Sequence, residues 1–182
     1  MHARQPDRIV RWESRDGDSR ELLLLRQDED GVVAESMIVG RDYAARYRVT
    51  CDRRWHLRLL EVEVLGRAPF RLQSDGEGGW CGHDGTLIDH LNGAIDIDLP
   101  ATPFTNTLPI RRLKLQPGQS ADIVTAYVSF PDLTVQPDPQ RYTCLDWHRY
   151  RYESRDSDFV AEVTIDDDGL VVDYPGLFRR IP

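Results

Sequence analysis

The stretch Glu21-Leu22-Leu23-Leu24-Leu25-Arg26-Gln27-Asp28-Glu29-Asp30-Gly31-Val32-Val33-Ala34-Glu35-Ser36-Met37-Ile38-Val39 reads as two strands folded about Asp30-Gly31. Asp-Gly tolerates positive φ at both central positions of a tight turn, which makes it a strong hairpin signal. The dipeptide occurs at 16–17, 30–31, 75–76, 84–85 and 168–169. The last of these sits between Phe159–Ile165 and Leu170–Tyr174 and predicts a second hairpin. Period-2 patterns extend the count. In 43–51, Tyr43, Ala45, Tyr47, Val49 and Cys51 share a face, and Arg46, Arg48 and Thr50 share the other. In 159–166, Phe159, Ala161, Val163 and Ile165 oppose Glu162, Thr164 and Asp166. In 141–152, Tyr142, Cys144, His148, Tyr150 and Tyr152 alternate with Arg141, Leu145, Trp147, Arg149 and Arg151. Asp122–Phe130 is another extended run. In 55–65 the apolar parity switches between Leu59 and Leu60, as a bulge or a doubly covered strand requires. Helix signals are weak, with a turn or two expected over Thr86–Asn92 and an end at Gly93. The fold expected is all-β: a long antiparallel meander curled into a β-roll or open barrel, because curling removes exposed edges.

The chain has 182 residues, 40% hydrophobic and 30% charged. That length buries roughly 70% of the unfolded surface in one core, and no linker interrupts it, so residues 1–182 read as one domain. The net charge of −8 opposes a nucleic-acid partner, which needs a concentrated basic face. Lys114 is the single lysine, so nearly every cation is a guanidinium, suited to bidentate pairing with carboxylate or phosphate. The N-terminus lacks the apolar core of a signal peptide. The longest apolar run, Leu22–Leu25, is far short of a bilayer span. A cytoplasmic protein, not integral to a membrane, is expected. Cys51, Cys81 and Cys144 are expected to be reduced and mostly buried.

No catalytic or metal motif stands out. The histidines (His2, His56, His83, His90 and His148) form no HxH or HExxH pattern, and Cys81 with His83 and His90 lacks the spacing of a zinc site. No serine occupies a GxSxG elbow. Gly76-Glu77-Gly78-Gly79 is too short for a phosphate-binding loop. Asp166-Asp167-Asp168-Gly169 lacks the spaced ligands of a calcium loop and reads as a solvated turn. Neither a cofactor nor a metal is implied.

The segment 96–113, Asp96-Ile97-Asp98-Leu99-Pro100-Ala101-Thr102-Pro103-Phe104-Thr105-Asn106-Thr107-Leu108-Pro109-Ile110-Arg111-Arg112-Leu113, is different in kind. Its prolines remove three backbone donors and fix three φ angles. It reads as a rigid, irregular, polar loop, where function tends to concentrate. Asp96 and Asp98 share one face of the short strand that feeds it. They are placed either to pair with Arg111 or Arg112 or to bind sugar hydroxyls. Tyr150 and Tyr152, interleaved with arginines, suit either core packing or a stacking surface.

Tyr47-Arg48-Val49-Thr50-Cys51-Asp52 with Trp55, Asp75-Gly76-Glu77-Gly78-Gly79-Trp80, Asp96-Ile97-Asp98-Leu99, Thr102 to Arg112, Tyr150-Arg151-Tyr152 and Gly169 to Pro175 together resemble a bacterial family of uncharacterised proteins described as "putative glycolipid-binding". They span most of the chain. The resemblance implies a long antiparallel sheet curled into a roll or open barrel, similar in shape to carriers that hold acyl chains in a half-barrel. It carries over no catalytic residue.

Two functions follow as expectations. The first is a binding protein for a glycolipid-like amphiphile, with an apolar cavity lined by Leu60, Val62, Phe159 and Val163. Its ligand-binding residues would be Trp80, Asp96, Asp98, Asn106, Arg111, Arg112, Tyr150 and Tyr152. The second is an enzyme on the same scaffold using Asp96, Asp98, His83 and Tyr150 as acid/base groups. A protein-interaction module with a filled core is the remaining alternative.

Overall fold

Residues 7–182 are described in the computed structural model; the expectations for the N-terminus, His2 included, lie outside them. Fourteen strands form one sheet. In chain order they are β1 (Arg8–Ser14), β2 (Ser19–Gln27), β3 (Val32–Gly40), β4 (Ala44–Cys51), β5 (Leu57–Val64), β6 (Phe70–Ser74), β7 (Trp80–Gly82), β8 (Asp96–Asp98), β9 (Ser120–Val128), β10 (Val135–Asp146), β11 (Arg149–Ser154), β12 (Val160–Ile165), β13 (Val171–Tyr174) and β14 (Phe178–Ile181). The spatial order runs β7 to β1, then β14 to β8. It is therefore a meander whose first and last strands pair with each other, Arg11 opposite Ile181. The sheet is not closed between β7 and β8. That gap is stitched by loop contacts: Trp80 Nε1 donates to the Ala94 carbonyl at 2.7 Å, and Gly93 N donates to the Gly78 carbonyl at 3.0 Å.

The hairpin at Asp30-Gly31 forms, with Gln27 opposite Val32, and so does the one between β12 and β13. In β4 the inward residues are Ala45, Tyr47, Val49 and Cys51. The parity switch in β5 is a bulge: Thr50 faces Leu59, Cys51 faces Leu57, and Arg58 is the extra residue.

Three expectations about single elements are corrected first. The run 141–152 is two strands, because Asp146 Oδ1 accepts the His148 N–H at 2.9 Å and turns the chain without a glycine. The two-residue turn alone would flip the parity; a bulge at Leu145 restores it, so Tyr142 faces Tyr152 across β10 and β11. The helix expected at Thr86–Asn92 shrinks to a single 3-10 turn, Asp89–Leu91. Phe159 precedes β12 and is 42% exposed, its ring packing on Tyr152 and Tyr174.

All neighbouring strands are antiparallel except β8 and β9, which run parallel, Asp96 beside Thr125. Parallel neighbours need a long crossover. Here it is residues 99–119, and its first half runs through the roll. The segment expected to be irregular is helical: a 3-10 turn, Phe104–Asn106, continues into α1, Thr107–Leu113. Just ahead of it, Thr102 Oγ1 accepts the Phe104 N–H at 3.0 Å and turns the chain into the helical start. Pro103 is the N-cap, already near helical geometry at φ −79°, where its missing N–H leaves no intrahelical bond unmade. Pro109 falls in the first turn of α1, where a missing N–H costs least. Lys114 ends the helix in the left-handed region at φ 50°. Residues 102–110 are all buried.

The interior is consequently filled. Phe104 and Leu108 join the inward residues of β1–β6, including Trp12, Leu23, Val49, Leu60 and Val62. Ile110 joins Tyr142, Tyr150, Tyr152, Val163 and Tyr174. Leu60, Val62 and Val163 thus pack a core, and the plug stands where an apolar cavity was expected. Cys51, Cys81 and Cys144 are free thiols. Among the described residues no helix is long and apolar enough to cross a membrane.

Polar side chains seat the plug. Thr102 Oγ1 lies 3.2 Å from the Tyr47 hydroxyl, which donates to Glu21 Oε1 at 2.6 Å; Ser36 donates to the same oxygen at 2.7 Å. Glu21 Oε2 is buried without a partner. Burial raises the Glu21 carboxyl to about 7, against the opposing pull of its hydroxyl donors. A folded-state pKa above the unfolded value of 4.5 means that the native state binds the extra proton. The stability contributed is complete below pH 4.5 and is lost as pH rises through 7. Glu21→Gln keeps the neutral form, so its stability relative to wild type is expected to climb by up to about 3 kcal/mol across that window and then level off. Urea unfolding of both proteins from pH 4 to 9 measures this; a gap independent of pH would contradict it.

Candidate functional site

Where α1 leaves the plug, the strands around it are staggered. β8 covers β9 only from Thr125 onward, and β11 covers β10 only from Gln140 onward. Pro137 and Pro139 lie in the uncovered part of β10, where their missing donors break no ladder with β11. The stagger opens a cleft of about 500 Å³. Its apolar walls are Ile95, Leu113, Ile123, Val124 and Pro139, and its polar groups are Arg112, Asp122, Gln140 and Arg155.

Behind the cleft lies the Asp96–Arg112 pair. Asp96 is fully buried. Arg112 Nε donates to both carboxylate oxygens, at 3.1 and 3.2 Å, and Nη2 donates to Oδ2 at 2.5 Å. Such a bidentate fork is planar and directional. Burial pushes the Asp96 carboxyl up; Arg112, and more weakly His56, pull it down. Two residues along, Asp98 accepts Thr105 Oγ1 at 3.2 Å and Gln140 Nε2 at 2.8 Å. Gln140 Nε2 also donates to Asp138 Oδ2 at 2.6 Å. Desolvation, with the Asp138 charge adding to it, raises Asp98 to about 6 although Gln140 and Thr105 favour its ionised form. Asp138 is raised too, chiefly by burial.

The sequence-derived residues divide by position. Arg112 lines the cleft with Asp96 forked to it from behind, and Asp98 is tied to the cleft residue Gln140. Asn106 sits on the adjoining turn of the plug, its Oδ1 accepting the Tyr142 hydroxyl at 2.9 Å. Trp80 is buried and pins Ala94, next to Gly93 and Ile95 of the cleft. Arg111 turns the other way, donating to the Asp168 carbonyl and lying 5.1 Å from the Trp55 ring centroid. Tyr150 reaches the Leu115 carbonyl at 3.5 Å, and Tyr152 packs among Tyr142, Phe159 and Tyr174. His83 is exposed, and the imidazole whose charge acts on Asp96 is His56. Gln140, Ile123, Val124 and Leu113 were not singled out from the sequence. Gln140 was within reach, since it shares the inward parity of Tyr142 and Cys144, where a polar side chain needs a buried partner.

The family model described as "Putative glycolipid-binding" matches residues 9–180. A crystal structure of a DUF1089 family protein from Pseudomonas aeruginosa superposes with a TM-score of 0.80 at 40% identity, covering 90% of this chain and 92% of that one. No curated protein matches the chain.

Arg112→Ala leaves a buried carboxylate without its cation and is expected to cost about 3–5 kcal/mol in urea unfolding. Adding Asp96→Asn should recover most of that loss. A cost below about 1 kcal/mol, as for a surface pair, would show that the fork does not anchor α1.

Proposed function

The chain belongs to the family described as "Putative glycolipid-binding", and from that premise we propose that it is a non-catalytic binding protein for a small glycolipid-like amphiphile. The observation that carries the reading is the composition of the cleft: one apolar side and one polar end, at the junction of plug and sheet edge. Its volume falls within the range of about 300–1,000 Å³ that small-molecule sites occupy. In this proposal an alkyl or acyl portion lies on Ile95, Leu113, Ile123 and Val124, and the head meets Arg112 and Gln140. Asp96, Asp98, Asn106 and Trp80 hold the walls in place. Arg111, Tyr150 and Tyr152 fasten plug and strands together at a distance from the ligand. A cytoplasmic location belongs to the same proposal.

The carboxylates here are engaged by a guanidinium, an amide and a hydroxyl. That arrangement favours rigid orientation of a ligand over proton transfer to one.

Purified protein examined by native mass spectrometry, with lipid extraction of the same sample, should carry or take up one amphiphile per chain. Val124→Asp places a charge on the apolar wall, and it should weaken binding of an added alkyl glycoside by about tenfold or more while leaving the melting temperature within a few degrees. Absence of both a co-purifying and an added amphiphile would overturn the reading.

A further inference from the structure

Asp96 and Asp166, both withdrawn from solvent, each hold a guanidinium, Arg112 and Arg180. Three carboxylates near the start of the plug hold none. Asp98 of β8, Asp138 of β10 and Asp156 in the loop after β11 share one field: the Asp138 charge adds to the rise of Asp98, and the Asp156 charge to that of Asp138. Burial is the larger cause in both. Among the described residues no cation lies within ion-pair distance of any of the three. Their side-chain partners are neutral: the Gln140 amide, the Thr105 hydroxyl and the Ser154 hydroxyl. Desolvated negative charge without a positive partner is costly, and a bound cation offsets that cost. Asp98 and Asp138 are only partly covered and keep accessible surface.

A second observation concerns hydroxyls. Tyr127, Tyr142, Tyr152 and Tyr174 all lie in the field of Asp98. Tyr142 gives its hydroxyl to Asn106. Tyr152 and Tyr174 are 7% and 5% exposed, yet their hydroxyls make no hydrogen bond among the described residues and are not sealed from solvent. Tyr152 feels Asp138 and Asp156 as well as Asp98, so its phenol faces all three carboxylates. Phe159, half-exposed, packs on both rings, with centroids 5.9 and 6.5 Å away.

We propose that this corner of the roll is a second binding site, for an organic ammonium ion whose N–H groups donate to Asp98, Asp138 and the Tyr152 hydroxyl oxygen while its hydrocarbon part packs on Phe159. An ammonium only donates, which suits a surround of carboxylate and phenol oxygens, and aromatic faces attract it further. A carboxylate or phosphate is repelled by three uncompensated charges. A metal ion is the poorer match, because among the described residues no three acidic, histidine or cysteine side chains are grouped as ligands. The site goes beyond the amphiphile cleft and differs from it in charge. Arg112 and Arg155 line that cleft, and Gln140 stands between the two, lining one and donating to the carboxylates of the other.

The test is a titration of the whole protein at pH 8 with 2-phenylethylammonium, 2-phenylethanol, 3-phenylpropanoate and calcium chloride. It is followed by the NMR signals of the Tyr152 and Tyr174 rings and the Gln140 side-chain amide. The ammonium is expected to move these signals and to bind about tenfold or more tighter than the alcohol, and the anion to leave them unmoved. Asp138→Asn and Tyr152→Phe, each close in shape to the original, should each weaken the ammonium by roughly threefold or more. Should either fail to fold, the exposed Asp156→Asn and the ranking of the probes on the wild-type protein decide. Equal binding of ammonium and alcohol, or no loss in any variant, overturns the site. Displacement of the ammonium by calcium overturns the organic assignment. Shifts confined to Leu113 and Ile123 put the probe in the cleft and overturn a second site.

Discussion

One parallel pairing organises this molecule. Every other strand neighbour is joined antiparallel, by a short connection or through the meeting of the two chain ends, but β8 lies parallel to β9. A parallel pair cannot be closed by a hairpin. The chain must travel between the two strands, and the route taken is the inside of the roll. That route puts Phe104 and Leu108 into the core and divides the apolar interior into two clusters joined by the plug. It also decides where a ligand has room. With the centre filled, space is left where the crossover meets the uneven ends of β8, β9, β10 and β11.

A helical plug brings polar backbone and side chains into an apolar interior, and each must be satisfied there. The solution is a series of specific partners. Thr102 turns the chain into the helical start and links through Tyr47 to Glu21. Asn106 receives Tyr142. Arg112 is forked to Asp96. Buried ion pairs and buried acids contribute little net stability, because desolvation offsets their attraction. Their geometric contribution is larger: each partner is directional, and together they set both the rotation and the depth of the helix. The residues that remain incompletely paired, Glu21, Thr107 and Gln140, mark where this satisfaction stops.

The cleft inherits its character from that arrangement. Its apolar wall comes from α1, the residue before β8, the uncovered end of β9 and Pro139 of β10; its polar end joins Arg112 of α1 to Asp122, Gln140 and Arg155. Arg112 belongs to both worlds, since the residue that is forked to Asp96 also lines the cleft.

The two hairpins and the inward faces of β4, β5 and β12 were legible because a strand's period of two and the positive φ of Asp-Gly are local properties. The bulge in β5 was legible for the same reason. The helix at 104–113 was less so. Three prolines masked it, although a proline at the helical start and another in the first turn of α1 are both compatible with a helix. Asp96, Asp98 and Arg112 were named from their sequence, but Arg111 and Arg112 were equal candidates until the rotation of α1 sent one to Asp96 and the other to Asp168 and Trp55. Gln140 acquired meaning only when β10 set it against Asp98, forty-two positions away. The sequence by itself determined a curled, antiparallel, all-β meander, because alternation and turn chemistry act between near neighbours. Only the tertiary structure decided that the roll is filled and its cleft lies at the edge. That outcome depends on a crossover contacting strands from both halves of the chain, and no local pattern encodes such contacts.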